Sequence, residues 1–302
     1  MFPSWTYTQY FGAFLINYSV AEDAIRCIQY PFLERTTENH TTSEPETPIP
    51  ELYVVFFPQD FSKLARQFWQ HTGMGISSRR AEWLLALIGY GPVPPIATTN
   101  TAALAKRAIR QRIASLVTGT PIGVNNNLQE NSNNRRPVLV TEDDIFLFPC
   151  GMTAIWTAYQ LVMESRPGIK SVCFGFPYAD TLKIQQKWGP GCHFFGNGQD
   201  SDLDALEAFL DACISSDPTT PPISALFTEL PSNPLLRSPN LLRLRQMADK
   251  YNFLIAIDET IGNFHNVSIL SYADIVMSSL TKIFSGEANT MGGRYAPTQK
   301  KG

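Results

Sequence analysis

The 302-residue chain has a composition typical of a folded globular protein, with 44% hydrophobic and 17% charged residues. Its net charge of −3 and isoelectric point near 5.8 argue against nucleic-acid binding, because proteins of that class carry basic surfaces that attract phosphates. The sequence contains no run of about 18 apolar residues, which argues against a membrane span. We therefore expect a soluble protein with neither nucleic acid nor a membrane as partner.

The five cysteines are odd in number and show no CxxC spacing, which favours neither a disulfide framework nor a zinc site. The histidines have no spacing typical of metal ligands or of a catalytic triad, so no metal is expected. The first residues contain no basic leader and no small-residue cleavage pattern. Together these features predict a cytoplasmic protein.

Two polar stretches divide the chain. Residues 36–51 are rich in proline and predict a linker within an N-terminal region that covers residues 1–117. Residues 118–137 concentrate glycine, proline and asparagine and predict an exposed, Asn-rich insertion. A large domain is expected over residues 138–293, and the polar, basic residues 294–302 predict a disordered tail.

Within the large domain, short apolar runs alternate with amphipathic segments, which is typical of an α/β sheet protein. Ser201 and Ser238 are predicted to begin two of its helices as N-caps. The apolar run 253–257 predicts a strand buried on both faces of a parallel sheet. Asp258 follows directly, and because ligands bind beyond the carboxyl ends of such strands, it is either a functional residue or a turn cap.

The segment ADIVMSSLTKIFSG, residues 273–286, predicts a strand that leads into hydroxyl residues and then a single lysine, Lys282. By composition alone, a lysine beside apolar residues is a surface residue whose ammonium reaches water. The motifs FPCGMTAI, PSNPLL and AIDETIGNF precede it in order. Together the four segments resemble the Cys/Met-metabolism group of pyridoxal phosphate enzymes, and within it the fungal cystathionine gamma-synthases, over roughly residues 55 to 293.

The resemblance implies a transferase of fold type I, in which helices flank a mostly parallel, seven-stranded sheet. It implies pyridoxal 5'-phosphate as cofactor and Lys282 as the catalytic lysine that forms the Schiff base and then moves protons. Ser279 and Thr281 match the family's hydroxyl ligands for the cofactor phosphate. Gly151 and Met152 match its helix N-terminus, whose free N–H groups receive the same phosphate. Taken singly, these residues would be ordinary strand-end and turn residues.

Three further residues take expected roles from the family. Asp258 corresponds to the carboxylate that pairs with the pyridine nitrogen of the cofactor. Tyr178 corresponds to an aromatic residue that stacks on the cofactor ring and takes part in expelling the leaving group. Asn233 corresponds to the asparagine that approaches the phenolic oxygen of the cofactor. As an isolated residue, Tyr178 would instead be assigned to the core.

The implied reaction is a gamma-replacement that joins cysteine to an O-acylhomoserine, giving cystathionine for methionine biosynthesis by trans-sulfuration. An O-acetylhomoserine sulfhydrylase and a gamma-synthase-like enzyme of secondary metabolism are alternatives with the same cofactor chemistry. The intact enzyme is expected to form a homo-oligomer, a dimer or a tetramer.

Family members continue into a smaller C-terminal domain, whereas this sequence ends twenty residues after Lys282. The small domain is therefore expected to be largely absent. That expectation leaves an alternative of another class, in which the chain is an inactive truncated remnant or a partner subunit.

Overall fold

The computed structural model describes residues 26–30, 52–87, 89, 92, 99–118, 140–264, 266–287 and 290–297. The chain divides into two compact units. The first comprises Met1–Gln70 and Met74–Leu104, and the second comprises His71–Gly73 and Ala105–Gly302. None of the helices in the described ranges is long and apolar enough to cross a membrane.

The first unit contains a two-stranded antiparallel sheet and helical segments. Its elements are β1 (Arg26–Tyr30), β2 (Leu52–Phe56), α1 (Ser62–Thr72), whose last two residues belong to the second unit, and α2 (Ser78–Leu87). Ala65 and Phe68, three residues apart on one face of α1, are buried, as the helical period predicts. The predicted linker 36–51 lies outside the described residues.

The second unit is an α/β sheet structure. Its helices are α3 (Thr99–Thr118), which begins in the first unit, α4 (Gly151–Ser165), α5 (Ala179–Lys187), α6 (Asp200–Ser216) and α7 (Leu241–Tyr251). Its strands are β3 (Phe146–Phe148), β4 (Ser171–Phe174), β5 (Cys192–Phe195), β6 (Ala225–Glu229), β7 (Leu254–Asp258), β8 (Ile275–Ser279) and β9 (Gly293–Pro297).

The strands of the second unit form one seven-stranded sheet in the order β3-β9-β8-β7-β6-β4-β5. Every pair from β5 through β8 is parallel. Strand β9 is antiparallel to both of its neighbours, β3 and β8. The predicted fold, a mostly parallel sheet flanked by helices, is confirmed.

The core lies between the central strands and the helices that pack on them. Ile255, Ala256 and Ile257 of β7 are fully buried, as expected for a strand covered on both faces. In α7, Leu244 and Met247 lie on the buried face and join the same hydrophobic cluster. Each such side chain removed from water contributes roughly 1.5–3 kcal/mol before conformational entropy is subtracted.

The two predicted helix caps are each wrong by two residues, because the observed N-caps are Gln199 and Asn240. Helix α6 begins at the residue before Ser201, and Asp202 instead accepts hydrogen bonds from main-chain N–H groups that precede the helix. Helix α7 begins three residues after Ser238, because the side chain of Asn240 accepts from the N–H of Arg243 at 3.1 Å. Only in α7 does a neighbouring carboxamide, that of Asn240, take the capping role that was predicted for serine.

The prediction of a disordered tail over 294–302 is wrong for residues 294–297, which form β9 with Gly293. The strands on both sides of β9 supply hydrogen-bond partners for its backbone N–H and C=O groups. The strand is therefore held in the sheet without an alternating apolar pattern. Residues 298–302, and residues 119–137 of the predicted insertion, lie outside the described residues.

Candidate functional site

The predicted site residues lie at the carboxyl ends of the parallel strands. Asp258 is the last residue of β7 and Ser279 the last of β8. Tyr178 lies in the loop that follows β4, Asn233 in the loop that follows β6, and Lys282 just beyond β8. Because parallel strands end at the same edge of a sheet, this topology brings the five residues to one side of the unit.

The beginning of α4 lies against the end of β8. A Cβ atom placed on Gly151 would lie 2.7 Å from the Cβ of Ser279, so only glycine permits this approach. Cys150 is the N-cap and makes no side-chain capping hydrogen bond. The first-turn N–H groups, including that of Met152, therefore keep their capacity to bind an anion beside the Ser279 hydroxyl.

The hydroxyl of Thr281 is engaged by the main chain. It accepts a hydrogen bond from the N–H of Gly292 at 3.0 Å and donates to the carbonyl of the same residue at 3.3 Å. A phosphate would compete with that carbonyl for the single hydroxyl proton. The role of Thr281 as a phosphate ligand stays a prediction.

Thr260 links the ends of β7 and β8. Its N–H and its hydroxyl both donate to Oδ1 of Asp258, at 2.9 and 2.6 Å. The same hydroxyl accepts from the N–H of Ser279 at 2.8 Å. One threonine thus connects the predicted partner of the ring nitrogen to the predicted phosphate residue.

Asp258 is 8% exposed. Burial raises the pKa of Asp258, while the hydrogen bonds from Thr260 and the charge of Arg294 oppose that rise. A cationic group placed beside Asp258 would favour its ionised form. The site is therefore suited to hold a protonated ring nitrogen.

Glu229 places a second carboxyl group beside Asp258, opposite it in the register of β6 and β7. It accepts a hydrogen bond from the N–H of Tyr178, and the N–H of Asn233 also lowers its pKa. Burial, and then the charge of Asp258, raise the pKa of Glu229 to about 7. Two carboxyl groups thus share this strand edge, and both resist ionisation in the absence of a cation.

Arg294 lies fully buried in β9 and forms an ion pair with Glu259, the residue that follows Asp258. Its guanidinium carbon lies 4.1 Å from the centre of the Phe264 ring. Burial lowers the pKa of Arg294 to about 9, against the opposing effect of Asp258. A cation with this placement offsets part of the acidic charge at the edge of the sheet.

Lys282 lies in the short helical segment Leu280–Phe284, where its backbone is not helical (φ −85°, ψ −115°). Its side chain is exposed, so a small molecule can reach its amine from solvent.

Two residues of this arrangement, Thr260 and Glu229, received no role from the sequence. Threonine two residues after an aspartate is a known turn pattern, and that spacing could have identified Thr260. Glu229 lies shortly before Asn233, and the family resemblance gave a role only to the asparagine. No local spacing indicates that its carboxylate reaches Tyr178, because that contact spans 51 positions of the sequence.

Two family models match the chain. Residues 129–301 match the family described as Cys/Met metabolism PLP-dependent enzyme, and residues 1–77 match the fungal trans-sulfuration enzyme N-terminal domain. The chain is similar to the cystathionine gamma-synthase-like enzyme iboG2 of Amanita muscaria, with 48% identity over 89% of this chain and 48% of that protein. It is also similar to cystathionine gamma-synthase of Neurospora crassa, with 38% identity over 81% of this chain and 50% of that protein.

Among solved structures, metB from Corynebacterium glutamicum is similar with a TM-score of 0.46 and 14% identity, covering 64% of this chain and 42% of that chain. The chain spans about half the length of the curated relatives named above. The family match covers more than half of the chain and includes the strands and helices that carry Gly151, Asp258 and Lys282. The chain belongs to the Cys/Met metabolism family of PLP-dependent enzymes, and the cofactor of that family is pyridoxal phosphate.

Proposed function

We propose that this chain takes part in a gamma-replacement in which cysteine and an O-acylhomoserine give cystathionine, a trans-sulfuration step of methionine biosynthesis. The observation that carries the proposal is the placement of Lys282, Asp258 and the start of α4 at one edge of the sheet, in a member of this family. Because the chain spans about half of its relatives, the activity is assigned as a proposal for the whole enzyme.

The phosphate end of the cofactor is assigned to the start of α4 and the end of β8. The N–H groups of Gly151 and Met152 bind the phosphate oxygens at the positive end of the helix dipole. The hydroxyl of Ser279 donates to the same group. Thr281 would join them if its hydroxyl donated to the phosphate in place of the Gly292 carbonyl, which lies 3.3 Å away.

The ring end is assigned to the strand-end residues. Bound pyridoxal phosphate supplies an electron-withdrawing ring that stabilises negative charge on the substrate. Asp258 keeps a proton on the ring nitrogen, and Asn233 donates to the phenolic oxygen. Tyr178 would cover the ring face, and the amine of Lys282 would hold the cofactor and serve as the group that moves protons at the substrate carbons.

An assay with alternative nucleophiles tests the proposal. Purified protein with pyridoxal phosphate is given O-acetylhomoserine or O-succinylhomoserine with either cysteine or sulfide, and Lys282→Ala serves as control. Cystathionine that depends on cysteine and on Lys282 supports the proposal. Folded, cofactor-loaded protein that gives no product with either ester contradicts it for this chain and supports an inactive or partner role.

A second candidate keeps the cofactor chemistry and changes the nucleophile, as in a sulfhydrylase or a gamma-synthase-like enzyme of secondary metabolism. It is favoured by the higher identity to a gamma-synthase-like enzyme, 48%, than to the Neurospora gamma-synthase, 38%. A product formed with sulfide or another nucleophile, but not with cysteine, would select this candidate.

The proposal extends to small amino-acid substrates, a homo-oligomeric assembly and a cytoplasmic location. The cysteines that the structure describes, Cys150, Cys173, Cys192 and Cys213, are all free thiols, which is consistent with a reducing compartment. Light scattering on the purified protein tests the assembly, and a fluorescent fusion in the native cell tests the location.

A further inference from the structure

Glu229 connects two loops of the candidate site. It is the last residue of β6, and its carboxylate accepts a hydrogen bond from the N–H of Tyr178, in the loop after β4. The N–H of Asn233, in the loop after β6, also favours the ionised form of this carboxylate. A carboxyl group has lone pairs that can accept from several donors. One side chain therefore fixes the main chain of both loops.

The two loops depend on such main-chain contacts. The Tyr178 side chain is 54% exposed, and Asn233 is also exposed, so core packing does not set the position of either side chain. The carbonyl of Tyr178 accepts from the N–H of Thr181 at 3.0 Å, which ties the residue to α5. Its N–H is directed to Glu229, which ties it to the strand edge.

Glu229 is itself held in register with the predicted partner of the ring nitrogen. It lies opposite Asp258 in the parallel pair β6 and β7, and the N–H of Leu230 donates to the Asp258 carbonyl at 2.9 Å. The position of the Glu229 carboxylate is thereby fixed relative to Asp258. Through it, the loops that present Tyr178 and Asn233 are fixed relative to the same point.

We propose that Glu229 is a positioning residue, which sets where Tyr178 and Asn233 stand against the cofactor ring. The inference rests on the proposed function for the identity of the ring, whereas the loop contacts stand independently of it. Replacement of Glu229 should loosen both loops and weaken cofactor binding, while Lys282 still attaches the cofactor at saturation.

The first measurement is amide hydrogen exchange in cofactor-free protein. In Glu229→Ala, the amides of Tyr178 and Asn233 should exchange about tenfold faster than in the unchanged protein, because each loses its contact with the carboxyl group. The amide of Gly175, which donates to the carbonyl of Phe195, should keep its rate. The matched control is Glu207→Ala, which removes a partly exposed carboxylate paired with Arg243 on the outer helices. Unchanged rates at Tyr178 and Asn233 would overturn the proposal.

The second measurement is a titration with pyridoxal phosphate, followed by the visible absorbance and circular dichroism of the bound cofactor. Glu229→Ala should bind about tenfold more weakly and lose most of the visible dichroism, because the ring contacts are no longer fixed. Faster exchange with unchanged affinity and dichroism would overturn the positioning role.

If Glu229→Ala does not fold, the same measurements are made on Glu229→Gln, because glutamine keeps the size of the side chain and one acceptor oxygen. This variant should show smaller losses of affinity and dichroism, and values equal to those of the unchanged protein would overturn the proposal. Unchanged protein that shows no cofactor band contradicts the proposed function instead, and the exchange rates then still decide whether Glu229 fixes the two loops.

Discussion

The hydroxyl of Thr260 has two polar partners, and this explains how the two ends of the candidate site keep their spacing. It donates to Asp258 and accepts from the N–H of Ser279, while its own N–H also donates to Asp258. The carboxylate of Asp258 is therefore held in one orientation at the end of β7. Because the network is only partly open to solvent, the loss of one member leaves its partners unsatisfied.

Thr260→Val tests this network. It keeps the shape of the side chain but removes the hydroxyl, so we expect a loss of about 1–3 kcal/mol in unfolding free energy and weaker binding of pyridoxal phosphate. Urea denaturation and cofactor titration measure the two effects. Thr260→Ser keeps the hydroxyl and should retain most of both. Equal affinity in the valine variant and the unchanged protein would show that the network does not orient Asp258.

The two neighbouring carboxyl groups predict a pH dependence of cofactor-free stability. Burial raises the pKa of Glu229 to about 7 from the ordinary value of 4.5, and it raises the pKa of Asp258 as well. The folded state thus binds these protons more tightly than the unfolded state. The stabilisation that comes from this tighter proton binding is complete below about pH 4.5 and is lost as the pH rises through about 7.

We therefore expect the unfolding free energy of cofactor-free protein to fall between pH 4.5 and 7, by on the order of 1 kcal/mol. Glu229→Gln should flatten the curve over this interval, because glutamine does not titrate. Urea unfolding at a series of pH values makes the comparison. A slope that is the same in the variant would assign the effect to other groups.

At the scale of elements, the close approach of α4 to β8 is set by one glycine. A Cβ on Gly151 would lie 2.7 Å from the Cβ of Ser279 and 3.1 Å from its Cα, closer than packed carbon atoms normally come. A side chain there would push the helix start away from the strand end. The position of the predicted phosphate site thus depends on the absence of a single methyl group.

Gly151→Ala should destabilise the protein by about 1–3 kcal/mol through overpacking, and it should weaken binding of inorganic phosphate and of pyridoxal phosphate. Ser165→Ala, at the exposed far end of the same helix, is the matched control and should change neither property. Thermal unfolding and isothermal titration provide the readouts. Full phosphate affinity in Gly151→Ala would mean that the anion does not bind at this helix start.

The elements of the sheet could be predicted from the sequence because their apolar runs are long and periodic. The strand at 253–257 and the placement of Asp258 at its end are examples, and both are confirmed within one residue. The start of α7 and the existence of β9 could not be predicted in the same way. The first depends on competition between Ser238 and Asn240 for the same N–H groups, and the second on pairing with distant strands rather than on local composition.

The contacts that complete the candidate site could not be predicted from the sequence, for a related reason. The family motifs singled out Tyr178, Asn233 and Asp258, and the structure places Asp258 at the end of β7 and the other two in the loops that follow β4 and β6. The link from Glu229 to Tyr178 joins positions 51 residues apart. It arises only when β6 and β4 become neighbours in the sheet.

At the scale of the whole molecule, a polar site of this kind lies at the edge of a well-buried sheet. The central strands β6, β7 and β8 are almost entirely buried, which gives the strand-end residues a rigid support. The exposed Lys282 and Tyr178 project from this support toward solvent. A rigid support with accessible side chains at its edge suits the proposed cofactor chemistry.

The measurement that tests the central claim most directly is reductive labelling of the lysine. Purified protein is mixed with pyridoxal phosphate, reduced with borohydride, digested and analysed by mass spectrometry, in parallel with Lys282→Ala and with Lys250→Ala, a surface lysine of α7 paired with Asp211. We expect the added pyridoxyl mass on the peptide that contains Lys282, in the unchanged protein and in the Lys250 variant but not in the Lys282 variant. Label distributed over other lysines, or equal label in Lys282→Ala, would contradict the account.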